Sequence, residues 1–324
     1  TVGGLIGWGE GTASMTRTHV DLTQSGTTGL VGDSTVGGLI GTMRSGGRVV
    51  DSYFSGLITV NQSQTYGGLI AYMHPNTFVS NSYYNIDSSL INGSPTVTTG
   101  GLFNGQFTDW VNSNSSTVAS RSLVIGNYFS APDSDGYYLI NTYIDLSSTT
   151  GGNPSGQSDL SNLLGFVQST SSGAANTYKF KLGQDLNMST SSIPYLPYLS
   201  SAEFKGNTFA VNNFSWNRST ANVGFIGAAR GTYINGITVN TVQYGGQSST
   251  ANVVRGSDYV GVLAGSVFEG KVYDSHAVLA GAVTGSSYVG GLIGDFERGP
   301  IGTVSATRAN GVNPITAKVV GSGL

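Results

Sequence analysis

The chain has 324 residues, of which 49 are glycine and only 10% are charged, against about a quarter in an ordinary globular domain. A formal net charge of −3 without a Lys/Arg cluster argues against a nucleic-acid partner, and zero cysteine removes disulfides, thiol catalysis and thiolate metal sites. No run of about 18 apolar residues occurs, so no membrane-inserted helix is expected.

Residues 1–103 form the first expected segment. Val2-Gly3-Gly4-Leu5-Ile6-Gly7 starts in mid-pattern, which is expected of a piece processed or excised from a longer protein. The motif recurs at Val36-Gly37-Gly38-Leu39-Ile40-Gly41 and at Tyr66-Gly67-Gly68-Leu69-Ile70-Ala71, steps of 34 and 30 residues. Ten residues after Leu39 comes Val49-Val50-Asp51-Ser52-Tyr53, and ten after Leu69 comes Val79-Ser80-Asn81-Ser82-Tyr83. A third apolar segment, such as Leu57-Ile58-Thr59-Val60, closes the repeat. Three short strands per repeat, turned at glycine corners that supply positive φ and close approach, predict stacked repeats with alternate side chains inward. A helical repeat is excluded, because a Gly pair in every unit would cost each helix about 2 kcal/mol.

Residues 104–177 are expected to be a cap or connector. Phe103, Phe107, Trp110 and Val111 have helical spacing, as do Leu160, Leu163, Leu164 and Val167 behind a Ser158 cap. Residues 147–158 are a loop by composition.

Residues 178–324 return to the repeat. Near copies of the motif lie at Val223-Gly224-Phe225-Ile226-Gly227 and Val260-Gly261-Val262-Leu263-Ala264-Gly265, and a full copy at Val289-Gly290-Gly291-Leu292-Ile293-Gly294. Val272-Tyr273-Asp274-Ser275-His276 repeats the second segment. The fold class expected is therefore all-β: a right-handed β-helix (β-solenoid) of repeats near 30 residues, with a small helix-containing cap. Leu5, Leu39, Leu69, Leu263 and Leu292 are expected to face inward along one axis.

The succession Gly-Gly-Leu-Ile-Gly, Gly-x-Val-x-Asp-Ser-Tyr, Gly-x-Ile resembles the GLUG repeat of large bacterial and archaeal surface proteins and adhesins. The resemblance covers 1–103 and 222–324. Tyr178-Lys179-Phe180-Lys181-Leu182 and Glu203-Phe204-Lys205-Gly206-Asn207 are similar to a segment that often opens such β-helices, with its usual aspartates diluted. The resemblance implies an extracellular or cell-surface location, repetition and no catalytic residues. In it Gly3, Gly4, Leu5, Gly37, Gly38, Leu39, Gly67, Gly68, Leu69, Gly290, Gly291 and Leu292 are structural repeat positions.

Several constellations name chemistry. Asp274-Ser275-His276 holds the residue types of a nucleophilic triad, but strand alternation puts Ser275 opposite the other two. His276 and His19 occupy the repeat position of Tyr53 and Tyr83, and His74 beside Pro75 reads as a loop residue. Asp133 and Asp135 are calcium candidates by residue type, in a turn sequence, Asp-Ser-Asp-Gly, without the later ligands of a calcium loop. The glycine pairs lack the helix and acidic partner of a dinucleotide site, so no cofactor is expected. Asn61, Asn92, Asn114, Asn187, Asn213 and Asn217 satisfy Asn-x-Ser.

Function is expected to be structural or adhesive, without enzymatic activity. The alternatives are a β-helix polysaccharide lyase or hydrolase and a carbohydrate-binding surface. The enzyme needs acids or bases clustered at a groove, whereas 17 acids and 14 bases read as spread along the chain. Joined end to end, Val320-Gly321-Ser322-Gly323-Leu324 and Thr1-Val2-Gly3 read like a repeat junction. One period of a tandem array is therefore expected, its partners further copies of itself or surface glycans, with Glu10 and Lys318 the only charges in the terminal tens.

Overall fold

The computed structural model describes residues 1–23, 29–61, 65–113, 121–141, 158–166, 178–189, 194–217, 220–242, 252–308 and 319–321. Of these, 49% are strand and 8% helix, and the ladders between the strands are parallel. Val167, residues 147–157, Asn114, Lys318 and Leu324 lie outside the described residues. The chain divides into two units: Thr1–Ile125 with Asn162–Asn176, and Gly126–Ser161 with Thr177–Leu324.

In the first unit each strand pairs with its counterpart in the next repeat. Val2 lies opposite Val36 and Val36 opposite Tyr66. Ile6, Ile40 and Ile70 form a second row, Met15, Val49 and Val79 a third, and His19, Tyr53 and Tyr83 a fourth. These registers are the 34- and 30-residue steps of the sequence. Backbone N–H groups of Leu5 and Leu39 donate to the carbonyls of Leu39 and Leu69, at 3.0 and 2.9 Å. Leu39, Leu69, Val49, Val79, Phe54 and Tyr84 are fully buried between the rows.

Three details correct the expectations. First, the middle repeat has five short strands rather than three: Thr35–Gly37, Ile40–Met43, Arg48–Val50, Tyr53–Ser55 and Ile58–Val60. Two of the expected strands are each bent in the middle. One bend falls at Gly38-Leu39, the other at Asp51, whose φ of 51° is in the left-handed region. Asn81 and Asp274 repeat that conformation, which Asp and Asn tolerate better than other L residues.

Second, Gly37 and Gly38 do not have positive φ. They are needed for close approach instead. A Cβ on Gly37 would overlap the Ile40 carbonyl oxygen, and one on Gly38 would strike the Phe54 ring and the Gly68 carbonyl. Third, Leu5 is 49% exposed although Leu39 and Leu69 are fully buried. Leu5 lies in the first repeat, whose strands pair on one side only among the described residues.

Helix α1, Asn104–Asn112, belongs to this unit. Asp87 accepts a hydrogen bond from the Asn104 N–H at 2.7 Å, serving an amide at the helix start that has no intrahelical partner. The buried Trp110 donates its indole N–H to Asn81 and packs edge-on against Tyr53 and Tyr83. Helix α2, Asp159–Phe166, begins behind Ser158, which accepts from the Ser161 N–H at 3.3 Å. The Tyr83 hydroxyl donates to the Gly165 carbonyl at 2.6 Å. The Tyr53 and Tyr83 row is thus covered.

The second unit repeats the principle. Leu196, Ile226, Ala264 and Ile293 share one row, which brings Tyr195-Leu196 into the series of Phe225-Ile226 and Leu263-Ala264. The glycine motif does not reveal that copy, since Pro194 stands where the copies at Phe225-Ile226 and Leu292-Ile293 carry Gly224 and Gly291. A five-stranded ladder runs through Tyr138–Ile140, Tyr178–Leu182, Ala202–Lys205, Tyr233–Asn235 and Lys271–Tyr273. Its inward residues Phe180, Phe204, Ile234 and Val272 are fully buried. Tyr138–Ile140, from the expected connector, is the first strand of this ladder.

Candidate functional site

The outward face of this five-stranded ladder concentrates lysine side chains around a carboxylate and two tyrosines. Alternation puts Lys179 and Lys181 on the side opposite Phe180, and Glu203 and Lys205 opposite Phe204. Register then aligns Lys179, Glu203, Tyr233 and Lys271 in one row and Lys181, Lys205, Asn235 and Tyr273 in the next. Four of the five lysines of the chain therefore stand on one sheet face. The expectation of evenly spread bases is corrected here. Spacings of 24, 30 and 38 residues hide the alignment from a search for one period.

Tyr137 anchors one end of the face. Its hydroxyl donates to Glu203 Oε1 at 2.6 Å, and the Lys205 ammonium lies 3.1 Å from that oxygen and 4.5 Å from the Tyr137 ring centre. Burial, reinforced by the bond to Glu203, pushes the Tyr137 phenol above its usual range. Hydrogen bonding to Tyr137, with Glu203 adding to it, raises Lys205. Lys181 pairs with Asp133. Lys179 and Lys271 make no ion pair among the described residues, and Lys271 is exposed.

Toward the other end the face opens into a groove of about 530 Å³, lined by Glu203, Thr232, Tyr233, Glu269, Lys271 and Tyr273. The Tyr233 and Tyr273 rings meet edge-on at 6.0 Å, and Asn235 donates to the Tyr233 hydroxyl at 2.9 Å. Glu269 forms the far wall, 3.4 Å from the Arg230 guanidinium and 3.8 Å from that of Arg298.

No family model, curated protein or solved structure matches the chain.

The residues singled out from the sequence fall elsewhere. Ser275 is fully buried, donates to the Tyr273 carbonyl at 2.8 Å and accepts from the Ile237 N–H at 3.3 Å. Ser52 does the same in the first unit, donating to Val50 and accepting from Thr18 N–H. Its own N–H donates to Ser82. The serine is thus a structural bridge at a left-handed corner, with its proton and an acceptor site already committed. Asp274 is exposed, and His276 pairs with Ser305 at 2.9 Å, so these three residues assemble no nucleophilic relay. His19 stacks on Tyr53 at 4.9 Å between ring centres, and His74 bonds to Asn76 within a turn.

Asp133 Oδ1 accepts the N–H groups of Asp135 and Tyr137 at 3.0 Å, closing a turn. The Lys181 hydrogen bond is the largest influence holding its carboxyl below 3.8, followed by the Tyr137 N–H. Among the described residues no group of three or more His, Asp or Glu side chains converges as metal ligands would. The sequence reading missed the Lys–Tyr–Glu face. Its one local signal was the alternation in Lys179-Phe180-Lys181 and Glu203-Phe204-Lys205.

Proposed function

We propose that this chain is a structural or adhesive repeat segment of an extracellular surface protein of the GLUG kind. In this reading each unit is a right-handed β-solenoid, and further copies continue the array end to end. The supporting observation is the first repeat itself. Its strands Val2–Gly3, Ile6–Gly9 and Ser14–Thr16 each pair on one side only among the described residues, and its Leu5 and Trp8 are 49% and 50% exposed. The same positions one repeat further in, Leu39 and Thr42, are buried. An edge of this kind is completed by another strand of matching register, supplied through the peptide bond or by strand addition. Where each repeat touches only its neighbours, stability grows by adding repeats, which suits a load-bearing or spacer element. A surface of uncharged polar groups agrees with an extracellular setting.

The test is assembly. Light scattering and electron microscopy of the full chain over a concentration series should show elongated species that lengthen, and Trp8→Asp should suppress them. Monodisperse particles at every concentration, identical for the variant, overturn end-to-end continuation.

A further inference from the structure

We propose that the outward face of the five-stranded ladder in the second unit is a binding groove for an acidic polysaccharide, a chain of uronate sugars. Four observations converge on that chemistry. The first is shape. One row of side chains, Lys179, Glu203, Tyr233 and Lys271, crosses the strands at about 4.8 Å per step. That interval is close to the advance of one pyranose in an extended glycan, so a linear polymer lying across the strands meets one side chain per sugar. A compact ligand would use only part of the row.

The second observation is the tyrosine pair. Tyr233 and Tyr273 are each half-buried and set edge-on, presenting ring surface at the groove beside Thr232 and Asn235. Aromatic faces of this kind take the C–H face of a sugar, while the phenol and amide groups serve its hydroxyls. The third is charge. Lys181 is matched by Asp133 and Lys205 by Glu203, which leaves the Lys179 and Lys271 ammoniums without an ion pair among the described residues. Lys271 lines the groove, and Lys179 stands in the same row beyond it, its ammonium 5.4 Å from the Tyr137 ring centre; two cations without a carboxylate partner on one face mark a place for ligand carboxylates.

The fourth is the balance of the groove's own carboxylates. Glu203 and Glu269 both line the groove, and each is paired with a cation, Glu203 with Lys205 and Glu269 with Arg230 and Arg298, so neither stands unmatched against a ligand carboxylate. Toward a sugar they are hydrogen-bond acceptors. Glu203 Oε1 is held by Tyr137 and Lys205, and Oε2 takes no hydrogen bond among the described residues. Binding at this face gives the surface protein its adhesive ligand, and it rests on the surface reading only for where such a polymer is met.

The experiment titrates the full chain by calorimetry with defined-length oligogalacturonate, oligomannuronate and hyaluronan, with fully methyl-esterified oligogalacturonate, and with single-stranded DNA of similar length. At least one uronate should bind saturably, at least tenfold more tightly than the ester or the DNA, and more weakly as salt is added. Lys271→Ala and Tyr273→Ala should each weaken binding at least fivefold, and Lys271→Arg should restore most of it. Arg48→Ala, at the matching ladder position of the first unit, should leave binding unchanged. Circular dichroism of each variant establishes that it is folded. The groove assignment is overturned by failure of every uronate to bind, by equal affinity for the ester, by preference for DNA, or by folded variants that bind like the parent. None of these outcomes touches the assembly test, and loss of assembly leaves the groove standing.

Discussion

The two units use one ladder position for opposite ends. In the first unit Arg48–Val50 lies between Ser14–Thr16 and Phe78–Ser80, and in the second Lys271–Tyr273 holds the equivalent place after Tyr233–Asn235. Inward residues are interchangeable: Met15, Val49 and Val79 in one, Phe180, Phe204, Ile234 and Val272 in the other, all buried. Outward residues are not. On this ladder the first unit presents one exposed arginine, Arg48, above a buried Phe78, and the neighbouring aromatic row is covered by Trp110. The second unit offers lysines, carboxylates and tyrosines around an open groove. Stacking therefore constrains one side of each strand and leaves the other free to differ, so specificity accumulates on outward rows without cost to the core.

Leu39→Asp and Leu263→Asp place an unpartnered carboxylate where the parent leucine is fully buried, and each should cost more than about 4 kcal/mol in denaturant unfolding of its unit. Leu5→Asp, at a half-exposed position, should cost far less. Equal effects at Leu5 and Leu39 would mean that the stacking axis is not shared.

The covered face gives the next largest effect. Trp110→Ala should cost the first unit about 3–5 kcal/mol, by emptying the space against Tyr53 and Tyr83 and leaving Asn81 without its indole donor. The second unit should melt unchanged. A parallel loss there would show that the two units unfold together.

Gly37→Ala should cost about 1–3 kcal/mol, because the new methyl meets the Ile40 carbonyl rather than a side chain that can turn aside. Smaller still, Ser52→Ala and Ser275→Ala should each cost about 1–2 kcal/mol, the worth of a buried hydrogen bond between repeats. Near equality of the pair would sharpen the equivalence of the two corners.

The smallest effect concerns acid. The Asp133 carboxyl is lowered from 3.8, first by its hydrogen bond to Lys181 and then by the Tyr137 N–H. Its contribution is therefore complete above about pH 4 and lost as pH falls through the lowered value. Thermal unfolding followed from pH 5 downward should show the second unit losing stability faster than its Asp133→Asn variant. Parallel curves would remove that carboxylate from the balance.

Much of this is legible in the residues alone. The steps between Leu5, Leu39 and Leu69 are the hydrogen-bonded registers themselves, since a stacked repeat must bring identical residues face to face. The helix through Phe107 and Trp110 announced itself by spacing, as did the Ser158 cap. Other features were not legible. Tyr195-Leu196 fills a repeat position without glycine, and the bends at Asp51 and Asn81 follow from left-handed backbone angles that a motif does not display. Leu5 carries the same motif as Leu39 yet lies half in solvent, because burial depends on what stacks against a residue and not on its own identity.

The repeating unit is encoded locally: a glycine pair for close approach, an apolar residue beyond it, and an Asp or Asn followed by serine at the next corner. Short-range sterics and the need to bury one face of every strand require these, and they recur at readable intervals. The outward rows are set by long-range packing. Lys179, Glu203, Tyr233 and Lys271 become neighbours because intervening segments of unequal length end in one register, and no local interaction along the chain encodes that meeting.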